Sequence, residues 1–420
     1  MEFYEVLLPL AAIIFLAKML SMGCRKLGLP QVIGLLVTGV LLGLVTLIPN
    51  QQFITNTSVT GIGFFAEIGV ILIMFSAGIE TDVKQIKKTG VAAIVITLLG
   101  VLVPLGLGFL ASFVLPGVTD SAGNIDMTRT MFRNVFYGVI LTATSVSVTV
   151  ATLKELGKLS SPIGTAVVSA AILDDIIGVI ILSVIVSLDK ALVGGTGGAG
   201  KEIAVVLIKT VGFFVAAIIV GLVLRIIFKK LAAKYDHHRR IPIFALAVAF
   251  FYAYAAEKWF GIADITGAFF AGLFLSGTRD SNYIERRTDI TSYILFTPVF
   301  FAKVGLTSIS SFKTINPSFV LFGFLFIIAG MLGKFLGCGA AAKMCKYGWK
   351  DSIRCGVGMM CRAEVCLICA QKGIDAGIID GSIQPFILVL ILLTSFITPI
   401  VLKATYKNEI PEDVSQGIEV

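Results

Sequence analysis

Thirteen runs of about 20 apolar residues follow one another along the chain, near 4–24, 30–48, 60–80, 89–116, 130–153, 160–190, 202–230, 241–257, 261–278, 288–309, 315–343, 352–373 and 383–404. Runs of this length mark membrane-spanning helices. The connectors between them are short, so the expected fold class is all-α: a polytopic membrane protein with 13 transmembrane helices. The residue usage agrees, with 57% apolar and 14% charged residues, against about 25% charged in soluble domains. One membrane domain is expected over 1–420, ending in a short polar tail at 405–420, with no soluble regulatory domain and no nucleotide site.

A net charge of +8 raises nucleic acid as a partner, but the basic residues cluster between apolar runs. Connectors after odd-numbered spans hold Arg25 and Lys26; Lys84, Lys87 and Lys88; Lys229, Lys230, Lys234, Arg239 and Arg240; Arg279, Arg286 and Arg287; and Lys343, Lys346, Lys350 and Arg354. The connector after the tenth span has only Lys313. Under the positive-inside rule these clusters are topology signals, placing the N-terminus outside and the C-terminus in the cytoplasm of a cell (inner) membrane protein. Met1-Glu2-Phe3-Tyr4-Glu5 lacks the positive region of a signal peptide, so the first run is expected to be kept as a helix.

The chain also repeats itself. Gly28, Gly34 and Gly39 recur as Gly261, Gly267 and Gly272 at an offset of 233, and Phe75-Ser76-Ala77-Gly78-Ile79 is echoed more weakly by Phe301 to Leu306. These matches pair span 2 with span 9 and span 3 with span 10. Seven crossings separate the partners, an odd number, so the copies enter the membrane in opposite directions. The expectation is two six-helix inverted-topology repeats, approximately 1–190 and 241–404, joined by a linker helix at 202–230. Such repeats are a mark of secondary transporters.

In that scheme span 5 pairs with span 12, and both are interrupted. Span 5 carries the hydroxyl-rich Leu141-Thr142-Ala143-Thr144-Ser145-Val146-Ser147-Val148-Thr149; span 12 carries Gly356-Val357-Gly358-Met359-Met360-Cys361-Arg362-Ala363-Glu364. Broken helices in corresponding positions point to a binding site, because unwound backbone is tolerated only where it lines a cavity or is buried in protein. The hydroxyls of Thr144 and Ser145 can ligate a hard cation, or bond back to their own helix. Arg362 and Glu364 can pair or cap the half-helices, in a structural, site-shaping or gating role.

Span 6 holds the most costly residues. Asp174 and Asp175 are adjacent within Ala170-Ala171-Ile172-Leu173-Asp174-Asp175-Ile176-Ile177-Gly178, where each ionised side chain costs roughly 2.5–3.5 kcal/mol on insertion scales. Neighbouring helical residues point about 100° apart, so one acid can pair with a fixed cation while the other faces a cavity. That arrangement is a cation or proton site; the competing explanation is an acid buried in its neutral form. Lys18, Lys209 and Arg225 lie near span ends and can snorkel. Lys334, flanked by Gly330, Gly333 and Gly337 well inside span 11, is the candidate counter-ion for Asp174, and Lys303 in span 10 is its rival.

Other features have plainer explanations. Seven cysteines, an odd number, make no disulfide framework, and Cys366 with Cys369, though metal-like in spacing, has apolar flanks. Gly195 to Lys201 has the spacing of a phosphate loop, but Glu202 stands where Ser or Thr is needed, so a flexible loop without phosphate is expected. His237-His238 sits in a basic cytoplasmic connector, where a solvated loop competes with a pH sensor.

Leu173-Asp174-Asp175-Ile176-Ile177-Gly178, Thr144-Ser145-Val146, Phe75 to Glu80, Gly333-Lys334 and Arg362-Ala363-Glu364-Val365 together resemble the monovalent cation/proton antiporter family 2, most of all its bacterial sodium/proton antiporters. The likeness runs over nearly the whole chain. It implies crossed, broken fifth and twelfth spans, a homodimer, a core that moves against a dimerisation domain, Asp175 as the residue that binds the monovalent cation, and an ion pair of Asp174 with Lys334. No cofactor is implied; Na+, or Li+ or K+, and H+ are cargo. The chain departs from the family pattern at Ala363 and Cys361, where glycine and proline are usual, and at Lys303, a place commonly uncharged. The potassium-efflux systems are less similar, having a cytosolic nucleotide-binding domain. The expected activity is exchange of a cation for protons by alternating access, in a two-for-one version electrogenic. A sodium-coupled organic anion symporter has no need of adjacent acids with a buried lysine, and an intramembrane aspartyl protease places its acids on facing helices.

Overall fold

The computed structural model describes residues 4–26, 31–49, 51–81, 90–119, 123–145, 161–194, 199–234, 240–312 and 317–407, with 149, 150, 152, 153, 156 and 158 of the connector before 161. Side chains 189–203, 206, 207, 232–234, 308, 310–312, 317, 318 and 364 are also outside the description. Lys84, Lys87, Lys88, Val146, the glycines at 195, 197 and 198, His237, His238, Arg239, Lys313 and most of the polar tail therefore lie outside the described residues.

The described chain is helical, with one isolated bridge between Thr119 and Ile125. In order the helices are α1 (Tyr4–Lys26), α2 (Gln31–Val45), α3 (Asn56–Glu80), α4 (Val91–Ala111), α5 (Met127–Ile140), α6 (Pro162–Gly194), α7 (Ala199–Lys234), α8 (Arg240–Ala255), α9 (Asp264–Leu275), α10 (Ser281–Thr291), α11 (Thr297–Phe312), α12 (Pro317–Met344), α13 (Trp349–Gly358), α14 (Glu364–Asp375) and α15 (Gln384–Tyr406). Among the described residues nine helical stretches are long and apolar enough to cross a membrane, and α2 and α9 are shorter apolar helices. The expected span at 288–309 begins earlier, because a π-helical segment, Ser292–Phe296, joins α11 to α10. Helix α10, Ser-Asn-Tyr-Ile-Glu-Arg-Arg-Thr-Asp-Ile-Thr, is too charged for hydropathy to include.

Two expected spans are split. Helix α5 starts from Asp126, whose carboxylate accepts the Arg129 N–H at 3.0 Å, and stops where the Thr142 hydroxyl donates to the Val139 carbonyl at 2.8 Å. A side chain that takes a terminal carbonyl competes with helix continuation, and the backbone from Ala143 to Ser145 is irregular. The twelfth span parts at residues 359–363, between α13 and α14. By contrast α6 runs unbroken for 33 residues. Its start combines Ser161, whose hydroxyl accepts the Gly164 N–H at 3.1 Å, with Pro162 in the first turn, where a missing N–H is tolerated.

The chain forms two compact units: residues 1–27, 31–82 and 179–310, and residues 28–30, 83–178 and 311–420. The first is built on close helix crossings that exchange glycines. A Cβ at Gly78 of α3 would strike the Phe269 carbonyl of α9, and one at Gly272 of α9 the Phe75 carbonyl of α3. The same exchange joins α2 and α11, where a Cβ at Gly39 meets the Ala302 backbone and one at Gly305 the Leu36 carbonyl. Small residues let helix backbones approach closely in lipid, where packing rather than hydrophobicity drives association. Helix α7 of this unit leaves Ile208, Val211, Val215, Ile219, Leu222 and Ile226 exposed, an apolar surface suited to lipid.

The second unit has a core of small side chains, among them Ala166, Ala170, Ala171, Cys338, Ala341 and Cys355, which brings α4, α6, α12 and α13 together. Replacement of Gly272 by Leu should lower the thermal stability of the purified protein by several degrees, at roughly 1–3 kcal/mol or more for an overpacked contact. The control, Gly23→Leu, has nothing within 4 Å of the added carbon and should melt like the native protein. Equal melting of the two variants would contradict the close α3–α9 crossing.

Candidate functional site

Asp174 lies on α6 with its side chain completely buried, and so does Lys334 on α12. The Lys334 Nζ is 2.5 Å from Asp174 Oδ1, while the Thr144 hydroxyl donates to Asp174 Oδ2 at 2.6 Å. Both carboxylate oxygens are thus occupied, one by a charge and one by the irregular segment after α5. The position of the ammonium follows from glycines around it. A Cβ at Gly333 would come within 2.7 Å of the Pro104 Cα, so α12 lies directly on α4, and Gly100 of α4 leaves the ammonium its space, 3.6 Å from where a Cβ would stand.

Asp175, one residue on, is half-buried, with its Oδ1 atom inaccessible to solvent. It points away from the Asp174 pair as helix geometry requires, and lies within electrostatic reach of Cys369 on α14. Gly178, close to one turn further along α6, faces the Thr142 hydroxyl, which would stand 4.0 Å from a Cβ at that position. The two acids therefore sit beside the break in span 5.

The two breaks meet each other. The Ser145 N–H donates to the Cys361 carbonyl at 2.8 Å, and the Thr149 hydroxyl donates to the Gly358 carbonyl at the end of α13 at 2.5 Å. Arg362 is fully buried. Its Nη1 donates to the Ala143 carbonyl and, at 3.5 Å, to that of Thr142; its Nη2 donates to the Gly330 carbonyl at 3.0 Å. Its backbone N–H donates to the Thr394 hydroxyl at 3.1 Å. A cation at the C-terminal end of α5 also matches the sign of the helix dipole. Arg362 thus ties the residue before Thr144 to the turn of α12 that precedes Lys334, holding through backbone the two groups that hold Asp174.

Of the residues singled out in the sequence, Asp174, Thr144 and Lys334 are in direct contact, and Asp175, Ser145 and Arg362 surround them. Glu364 opens α14, the end of a helix that favours an acid, and its side chain is outside the described residues. Lys303, the rival of Lys334, lies elsewhere, 3.6 Å from Glu67. Thr142, Thr394 and the Gly330 carbonyl were not singled out. Thr394-Ser395 breaks an apolar run with hydroxyls just as Thr144-Ser145 does, so the same signal marks it; a carbonyl has no signature in sequence.

A membrane-embedded helical bundle with a buried ion pair beside two interrupted spans has the architecture of a secondary transporter for ions. Residues 11–407 match the family described as "Sodium/hydrogen exchanger, transmembrane", and the chain belongs to that family, one of cation/proton antiporters rather than enzymes. It is 32% identical over 408 residues to the Na+/H+-K+ antiporter GerN of Bacillus cereus, covering 97% of each chain. It is 30% identical to the high-affinity Na+/H+ antiporter NhaS3 of Synechocystis, over 97% of this chain and 92% of that protein. The solved sodium proton antiporter MjNhaP1 of Methanocaldococcus jannaschii shares the fold, with a TM-score of 0.69 at 19% identity over 96% of this chain and 97% of that one.

Breaking the buried pair on one side leaves a lone buried charge, at a cost of about 3–5 kcal/mol. Lys334→Met and Asp174→Asn should each destabilise the detergent-solubilised protein. The double variant should recover much of the loss in a thermal double-mutant cycle; strictly additive losses would contradict the coupling.

Proposed function

We propose that this protein exchanges Na+ for H+ across the cell membrane, with K+ or Li+ as alternative cargo, by alternating access around Asp174 and Asp175. One observation carries the proposal: Asp174 has both oxygens committed, to Lys334 and Thr144, while its neighbour Asp175 is half-buried beside the two breaks. A fully buried carboxylate fixed by an ammonium and, next to it in an apolar helix, a half-buried one suit a site where a metal ion and a proton compete. Relatives named for Na+/H+ and Na+/H+-K+ antiport support the cargo class.

In the proposed cycle Asp175 accepts the cation when ionised and a proton when the cation leaves. Burial favours the neutral form of the occupied site over a bare charge, so either cargo makes the site fit to move, and the empty carboxylate does not. Ser145 and Thr144 belong to the irregular segment that supplies oxygen ligands, and Arg362 and Glu364 shape it. If Na+ arriving at Asp175 also displaces a proton from Lys334, two protons exchange for one cation and the cycle carries net charge, coupled to about 2.3 kcal/mol per 100 mV.

The proposed topology is thirteen crossings with the N-terminus outside, the C-terminus in the cytoplasm, and two inverted repeats. The reciprocal glycine exchanges support the repeats: α2 packs on α11 through Gly39 and Gly305, as α9 packs on α3 through Gly272 and Gly78. Each of these pairs links a helix of one proposed repeat to a helix of the other. The assembly proposed is a homodimer. All site residues belong to one compact unit, as cargo carried with a moving unit requires.

In proteoliposomes loaded with a pH-sensitive dye, Na+ should drive proton movement by the native protein, and Asp175→Asn should abolish it. Equal signals would remove Asp175 from the mechanism. A clamped diffusion potential should change the rate; indifference to it would reject the two-for-one version.

A further inference from the structure

Thr97 is the one polar side chain among the 21 residues of α4, and it is fully buried. A hydroxyl in such a helix commonly bonds to the carbonyl one turn back, and that of Thr97 donates to the Ala93 carbonyl at 2.8 Å. It also donates to the Ala170 carbonyl of α6 at 2.9 Å, so a single proton is shared between two helices. Ala170 lies one turn before Asp174, and in an α-helix its carbonyl takes the Asp174 N–H. The threonine therefore holds α6 at the turn that carries the ion pair.

The residue before Thr97 holds the other partner. Cys338 stands one turn after Lys334 on α12, and its thiol donates to the Ile96 carbonyl of α4 at 3.8 Å. A Cβ at Gly100 of α4 would stand 2.6 Å from the Cys338 Sγ, and one at Gly337 of α12 would stand 2.5 Å from the Leu99 carbonyl. Small residues thus seat α12 on one edge of α4, while Thr97, about 100° round from Ile96, seats α6 on the next. Asp174 and Lys334 belong to separate helices, and both helices are fixed to adjacent residues of a third. The charged and titratable groups about the pair are Asp175, Cys338 and Arg362, and Thr144 holds Asp174 Oδ2. Thr97 acts instead on the α6 backbone.

We infer that Thr97 is a positioning residue of the exchange site: it sets the register of α6 against α12, so that Asp174 meets Lys334 and Asp175 keeps its place beside the breaks. The inference rests on the Na+/H+ exchange proposed above. Thr97 acts through α6 rather than on the cargo. Without the hydroxyl, the Ala93 and Ala170 carbonyls keep the N–H groups of their own helices, so no buried polar group is orphaned and the fold survives. What goes is the bond between helices. A buried ion pair holds only while its contact is close, so a small shift of α6 against α12 weakens it.

The test measures Na+/H+ exchange against pH in proteoliposomes for native protein, Thr97→Val, Thr97→Ala, Thr97→Ser and Thr38→Val. Thr38 is equally buried, and its hydroxyl donates to the Gly34 carbonyl of its own helix, α2, at 2.9 Å, so its valine variant controls for loss of a buried hydroxyl. Thr97→Val and Thr97→Ala should fold and should move the pH of half-maximal exchange in the same direction, by about 0.3 unit or more, a two-fold change in proton affinity. Thr97→Ser keeps the hydroxyl and should give the native profile, as should Thr38→Val. In the thermal cycle of Lys334→Met with Asp174→Asn, the coupling should shrink when Thr97→Val is added. A native profile in Thr97→Val, an equal shift in Thr38→Val or Thr97→Ser, an unchanged coupling, or failure of both Thr97→Val and Thr97→Ala to fold would each overturn the inference. Absence of exchange by the native protein would instead overturn the transport proposal, while the thermal cycle would still read the effect of Thr97 on the pair.

Discussion

The structure depends on keeping one ammonium and one carboxylate together where no water reaches either. Two charges withdrawn from solvent lose several kcal/mol of hydration each, and mutual attraction offsets this only when contact is close and the remaining valences are filled. Asp174 meets both conditions, with Lys334 at 2.5 Å and the Thr144 hydroxyl at 2.6 Å. Much of the unit can be understood as what those contacts need. Glycines at 100 and 333 let α4 and α12 lie close enough for the lysine to reach α6 without bending away. The break after Ile140 frees a hydroxyl-bearing segment to approach the same carboxylate.

Breaking two helices inside a membrane creates its own problem, because the freed carbonyls and N–H groups must find partners within the protein. Here they find one another and Arg362. The Ser145 N–H reaches the Cys361 carbonyl, and the guanidinium collects the carbonyls of Thr142, Ala143 and Gly330. One side chain thereby closes the end of α5 and braces α12 a turn before Lys334. The same geometry bears on charge. In the proposed exchange Asp175 is the group beside the breaks that takes the cargo, and a proton or a Na+ on that carboxylate leaves the same formal charge there, so the proposal has the two compete for one place.

Much of this was legible in the sequence, for identifiable reasons. Apolar runs gave the helices, since nothing but hydropathy and length decides a span, and the charged start of α10 escaped because it lacks both. The breaks were visible as hydroxyls and glycines interrupting spans 5 and 12. Lys334 could be preferred to Lys303 as the counter-ion of Asp174 from its depth in span 11 and its flanking glycines, but the partner of Lys303 could not be read. What separates them spatially is Glu67, an acid midway along α3 whose meaning appears only when α3 and α11 are side by side. Arg362 stood out as a charge, but its partners are backbone carbonyls, which any residue supplies, so its bracing of Thr144 and Lys334 could not be read from spacing.

Competition for one carboxylate is tested most directly by counting protons. When Na+ is added to concentrated, weakly buffered protein in detergent, near the pH where exchange is half-maximal, binding should release protons in proportion to the sites filled. Asp175→Asn should release none. Na+ binding, measured calorimetrically, that liberates no protons from the native protein would contradict a shared site.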